Sequence, residues 1–112
     1  MPTYDFYIKV GDLEPAIEAY LKLSDGSVFN LTGVTGVVFR WRLKNDPAAT
    51  PSEGSATIVS ATDGHVKYEW LTGETDVEGV FVCEWEVELS SGKMITFPNN
   101  KHDEFIVFEA IG

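Results

Sequence analysis

Cysteine is nearly absent from this chain: Cys83 is the only one in 112 residues. A lone thiol excludes an intrachain disulfide, so the core alone must hold the fold. Histidine is scarce too, with only His65 and His102. Cations are outnumbered, eight Lys and Arg against eighteen Asp and Glu, for a formal charge of −10. That shortage argues against nucleic acid, whose binders need a basic patch to displace counterions from phosphates. The same sign opposes anionic membrane surfaces, so neither nucleic acid nor membrane is an expected partner. Long apolar runs are missing as well, and none approaches the ~20 residues that span a bilayer. The N-terminus, Met1-Pro2-Thr3-Tyr4-Asp5, lacks the basic and apolar stretches of a signal peptide, which predicts a protein that starts in the cytoplasm.

What is present is a core. The chain is 44% hydrophobic and 12% aromatic, and its length fits one domain over residues 1–112. The strongest pattern runs from Phe81 to Leu89. Phe81, Cys83, Trp85, Val87 and Leu89 share one phase, and Glu84, Glu86 and Glu88 share the other. A period of two buries one face of a strand and wets the opposite face. Tyr4 to Val10 alternates in the same way, with Asp5, Tyr7 and Lys9 outward. Val37, Phe39, Trp41 and Leu43 form a third inward row, with Arg40, Arg42 and Lys44 on its outer side. Ala56–Val59 and His65–Leu71 read as strands joined by a turn at Asp63-Gly64. Met94–Phe97 and Phe105–Ile111 complete the set.

Residues 15–23 admit two readings, a strand with Ile17, Ala19, Leu21 and Leu23 on one face or a helix capped by Asp12; the strand is preferred. Residues 45–54, with Pro47, Pro51 and Gly54, read as a mobile loop. Seven or eight strands and no helix point to an all-β, antiparallel, two-sheet sandwich of immunoglobulin type, since a single open sheet would leave an apolar face bare. If the third strand neighbours the Phe81 strand, Arg40, Arg42 and Lys44 face Glu84, Glu86 and Glu88. Those charges would then set the register, because a slip of one residue would bury them all.

No pattern for chemistry emerges. His65 and His102 sit in turn or strand-start contexts and read as solvated, Cys83 reads as a buried thiol, and no nucleophile-elbow pattern occurs. Asp63, Glu74, Asp76 and Glu78 read as a wet acidic rim, against a weaker calcium alternative. Trp41, Trp70 and Trp85 take inward phases and read as core, which leaves Tyr7 and Tyr20 as outward aromatics. The expectation is no enzyme, no metal and no cofactor. The last strand is the anomaly: Phe105, Val107 and Ile111 lie on one side, with Ile106, Phe108 and Ala110 on the other. An apolar strand of that kind has both faces covered: its second face lies against a neighbouring subunit, or the strand crosses between sheets or is covered by the Pro-rich loop.

Several segments in order carry a resemblance: Gly11-Asp12-Leu13-Glu14-Pro15, Leu23-Ser24-Asp25-Gly26, Leu31-Thr32-Gly33, Val37-Val38-Phe39-Arg40, Asp63-Gly64-His65-Val66-Lys67-Tyr68-Glu69-Trp70, Asp76-Val77-Glu78-Gly79-Val80-Phe81 and Gly92-Lys93-Met94-Ile95-Thr96-Phe97-Pro98-Asn99. Together they resemble the immunoglobulin-like domain of tailed-bacteriophage structural proteins, notably the N-terminal domain of the baseplate upper protein. The resemblance implies a non-enzymatic virion protein of a tail or baseplate, partnered by other virion proteins and by copies of itself. A sugar-binding attachment module and a capsid or neck accessory protein are the alternatives. Phe105, Val107 and Ile111 are the expected contact residues, with Pro47 and Pro51 of the 45–54 loop as a second contact.

Overall fold

The computed structural model describes residues 6–98 and 103–111. Tyr4 of the first expected strand, Asn99 and His102 lie outside the described residues. Within them the chain is all-β: β1 (Phe6–Lys9), β2 (Ile17–Tyr20), β3 (Gly36–Leu43), β4 (Ser52–Ser55), β5 (Thr57–Ser60), β6 (His65–Tyr68), β7 (Gly79–Glu88), β8 (Met94–Phe97) and β9 (Asp103–Phe108). They form two sheets. The larger runs β1-β9-β7-β3-β4, with β8 also on β7, and the smaller runs β2-β6-β5. The pairings are antiparallel except β1 with β9.

The long alternating segment becomes β7, the centre of the larger sheet. One edge of β7 pairs with β3 along eight positions, from Gly36↔Glu88 to Leu43↔Phe81. Its other edge is shared: β9 takes Gly79 to Cys83, and β8 takes Trp85 to Glu88. Of the two readings of residues 15–23, the strand forms, over Ile17–Tyr20.

The inward phases of both sheets meet in an aromatic core. Phe39 is fully buried at its centre. Its ring lies 4.5 Å from Trp85, its direct cross-strand partner, and 5.2 Å from Tyr68 of the smaller sheet. Trp41 and Trp70 close around it at 5.3 and 5.9 Å, Trp70 edge-on. Aromatic pairs in such offset and edge-to-face geometries contribute about 0.5–1.5 kcal/mol each beyond their burial. The Tyr68 hydroxyl donates to Glu74 at 2.9 Å, and the Leu71 N–H donates to the same carboxylate at 2.8 Å. Burial first, then the bond to Glu74, pushes the Tyr68 phenol well above its ordinary value.

Among the described residues nine strands appear where seven or eight are expected, because part of the expected mobile loop forms a strand. Ser52–Ser55 forms β4 and pairs with β3, Gly54 opposite Phe39. Ser-Glu-Gly-Ser has little strand propensity. Gly54 allows the pairing all the same: a Cβ there would overlap the Tyr68 hydroxyl and stand 2.6 Å from Cε1 of its ring.

The charged outer rows of β3 and β7 do share a surface, with a different partnership from the one expected. Arg40 carries the contacts, Nη2 to Glu86 and Nε to Glu53, each at 3.2 Å. Lys44 reaches Glu104 of β9 at 2.9 Å. Arg42 stands opposite Val82, and its Nη1 donates to the Leu43 carbonyl at 3.1 Å. Glu84 stands opposite Arg40 in register, and Glu88 accepts from the Thr35 hydroxyl at 2.8 Å. Diagonal reach favours Arg40 with Glu86, and Glu86 holds the Arg40 guanidinium above its already high value.

Two measurements check this packing. Gly54→Ala should lose about 1–3 kcal/mol in urea unfolding, as overpacked sites do. Gly36→Ala, with open space at its Cβ, should stay within about 0.5 kcal/mol of wild type. An unchanged Gly54→Ala midpoint would show that β4 does not lie on Tyr68. In double-mutant cycles, Arg40 and Glu86 should couple by about 0.2–1 kcal/mol, and Arg42 with Glu86 by almost nothing. Equal coupling in the two cycles would contradict the diagonal pairing.

Candidate interaction surface

The outer face of the larger sheet is divided. Around β3, β4 and the far half of β7 it is charged, with Arg40, Glu53, Glu84, Glu86 and Glu88. At the β1, β9 and near-β7 corner the outward residues turn apolar. Register places them in rows: Val82 beside Glu104, then Val80 beside Ile106 beside Tyr7, then Phe108 beside Lys9. Tyr7 and Phe108 are 51% and 41% exposed, and their rings stack at 5.9 Å with planes 11° apart. The Lys9 ammonium lies 5.9 Å over the Phe108 ring. Ile106 and Val80 are half-buried, and Val82 is buried despite its outward phase.

The local frame explains this corner. Phe81 and Phe105 are direct partners and stack inward at 5.0 Å, so Val80, Val82, Ile106 and Phe108 must face out. Gly79 opens β7 at φ 143°, and a Cβ there would meet Leu43 at 3.0 Å. The preceding loop is tied down by buried Thr75, whose hydroxyl donates to the Asp12 carbonyl at 2.8 Å and whose carbonyl accepts from the Gly11 N–H at 3.0 Å. Glu78, three residues on, lines a shallow hollow of about 280 Å³ with Ile106, Phe108 and Glu109.

The expected contact residues are placed otherwise. Phe105 and Val107 are 1% and 2% exposed in the sandwich core, so neither can touch a partner. Their neighbours Ile106 and Phe108 face outward instead. Ile111 is fully exposed beyond the end of β9. Pro47 and Pro51 are exposed on the segment before β4, and Pro51 lines a hollow with Arg42, Val82 and Glu84 at the margin of this corner. Tyr7, Val80 and Val82 were not among the expected contacts. Their signal was present in the alternation, since each apolar side chain occupies an outward phase.

Other candidate centres disperse. His65 Nε2 lies 2.7 Å from Glu18, and its ring stacks on Tyr20 at 4.3 Å, on the outer face of the smaller sheet. Asp63 accepts from the Ser60 hydroxyl, and Glu74 is engaged by Tyr68 and Leu71. Among the described residues, no group of three His, Cys, Asp or Glu is placed to hold a metal ion. Trp41, Trp70 and Trp85 lie in the core, as does Cys83. Trp70 Nε1 is the one buried side-chain polar atom without a hydrogen bond among the described residues. A cleft of about 250 Å³ opens between the sheets beside Tyr20, Lys22, Trp85 and Phe97. No helix among the described residues is long and apolar enough to cross a membrane.

No family model and no curated protein matches this sequence. Among solved structures, the chain is similar to CopC from Methylosinus trichosporium OB3b. The match has 11% identity and a TM-score of 0.52, and covers 99% of this chain and 90% of that one. It shows the fold alone, an all-β, immunoglobulin-like sandwich. The expected role as a tail or baseplate protein is corrected here, since the likeness found is to CopC and not to a phage structural protein. The physical reason is that the quoted motifs mark turns. Asp63-Gly64, for instance, supplies the positive φ, 64°, that closes a hairpin in any antiparallel sandwich.

Proposed function

We propose that this protein works by binding rather than by catalysis, and that its working surface is the apolar corner of the larger sheet. The observation that carries this reading is the contiguous outward row of Val80, Ile106 and Tyr7, capped by exposed Phe108. A sandwich strand needs only one apolar face for its own core. β9 and the near half of β7 have two, and a contiguous exposed apolar patch with a charged rim is the signature of a protein contact. The stacked aromatics Tyr7 and Phe108, with the charged Lys9 beside them, are the kind of large side chains that supply most of the affinity at contact surfaces.

Affinity capture with the immobilised protein tests this reading, offering both the protein itself and an extract of the cells that make it. Wild type should retain a partner that Phe108→Asp loses. Leu71→Asp, at an isolated apolar residue 63% exposed, should retain it fully. Retention that is indifferent to Phe108→Asp would overturn the reading.

A further inference from the structure

We infer that the partner at this corner is a second copy of the chain, stacked face to face about a two-fold axis that runs along β9. The inference rests on the binding role proposed above and adds its occupant. Its basis is self-complementarity. β9 lies between β1 and β7. On its β1 flank stand Tyr7 and Lys9; on its β7 flank stand Val80 and Glu78. A two-fold axis along β9 exchanges the flanks, as an isologous contact requires. Tyr7 then covers the second copy's Val80, and Lys9 meets the second copy's Glu78. Ile106 and Phe108 meet their own counterparts on the axis.

The flanking charges fit this arrangement, and Glu104, which the axis sets against its own counterpart, is offset by its ion pair with Lys44. Lys9 forms no ion pair with any carboxylate among the described residues; its ammonium donates to the Glu109 carbonyl at 3.3 Å. Glu78 is exposed and likewise unpaired. In a chain with a formal charge of −10, an unpaired lysine on one flank and an unpaired glutamate on the other give a local match that the overall charge opposes. Aligned stacking of two twisted sheets is an established way to bury such faces.

Sedimentation equilibrium at about 0.15 M salt, where the Debye length is about 8 Å, tests the inference. Wild type should reach twice the monomer mass as concentration rises. Lys9→Glu and Glu78→Lys should each dissociate about tenfold more readily, because each places like charges across both flanks. An equimolar mixture of the two variants should return to wild-type affinity, since every reversed charge then faces an opposite one. That recovery also shows that both variants are folded. A wild type that stays monomeric at its highest soluble concentration overturns the second-copy inference, whereas a partner captured through Phe108 would still uphold the binding role. A dimer that ignores both charge reversals overturns the two-fold arrangement.

Discussion

The structure depends on one cross-strand pair, Phe39 of β3 against Trp85 of β7. Phe39 is fully buried, and Tyr68 and Trp70, at and just beyond the end of β6, pack on it from the opposite layer. The pair therefore joins strand to strand and sheet to sheet at once. Because side chains alternate, a slip of one residue between β3 and β7 would put Phe39 opposite a glutamate phase and turn Arg40 into the core. Polar burial of that kind costs more than the marginal stability of a small domain can absorb. On the wet side Arg40 bridges the same two strands through Glu86 and joins β3 to β4 through Glu53.

The outer corner follows from that register. With Phe81 and Phe105 committed to the interior, the phase of β7 and β9 is set, and Val80, Val82, Ile106 and Phe108 have no choice of side. The parallel pairing of β1 on β9 then carries Tyr7 and Lys9 to the same face. The exposed patch is thus a consequence of the core's geometry combined with apolar residues that the core itself does not need. It differs in kind from a scattered exposed side chain such as Leu71, which lies outside the strands.

Much of the fold was legible in the sequence because strict alternation is a direct physical signal. β1, β3, β6 and β7 follow from their inward rows, and the two-layer architecture follows from the number of half-apolar strands. β4 was hidden, since Ser52–Ser55 has neither alternation nor propensity, and only the close approach of Gly54 to Tyr68 explains it. The last strand showed that both of its faces were apolar, yet its own residues could not say which face was inside. That choice is made by Phe81, the partner of Phe105, which lies far away in sequence. For the same reason Arg40 and Arg42 looked equivalent: the distinction rests on diagonal reach across a twisted ladder. Turn motifs misled about function, because they record backbone needs shared by unrelated sandwiches.

Native-state hydrogen exchange tests most directly whether the β3–β7 pair holds the molecule together. Amides from Val37 to Leu43 and from Phe81 to Val87 should exchange slowest, at the free energy of global unfolding, while those of the edge strands β1 and β4 open locally at lower cost. Slowest exchange in β1 or β4, or local opening of the Phe39–Trp85 ladder below the global value, would contradict the account.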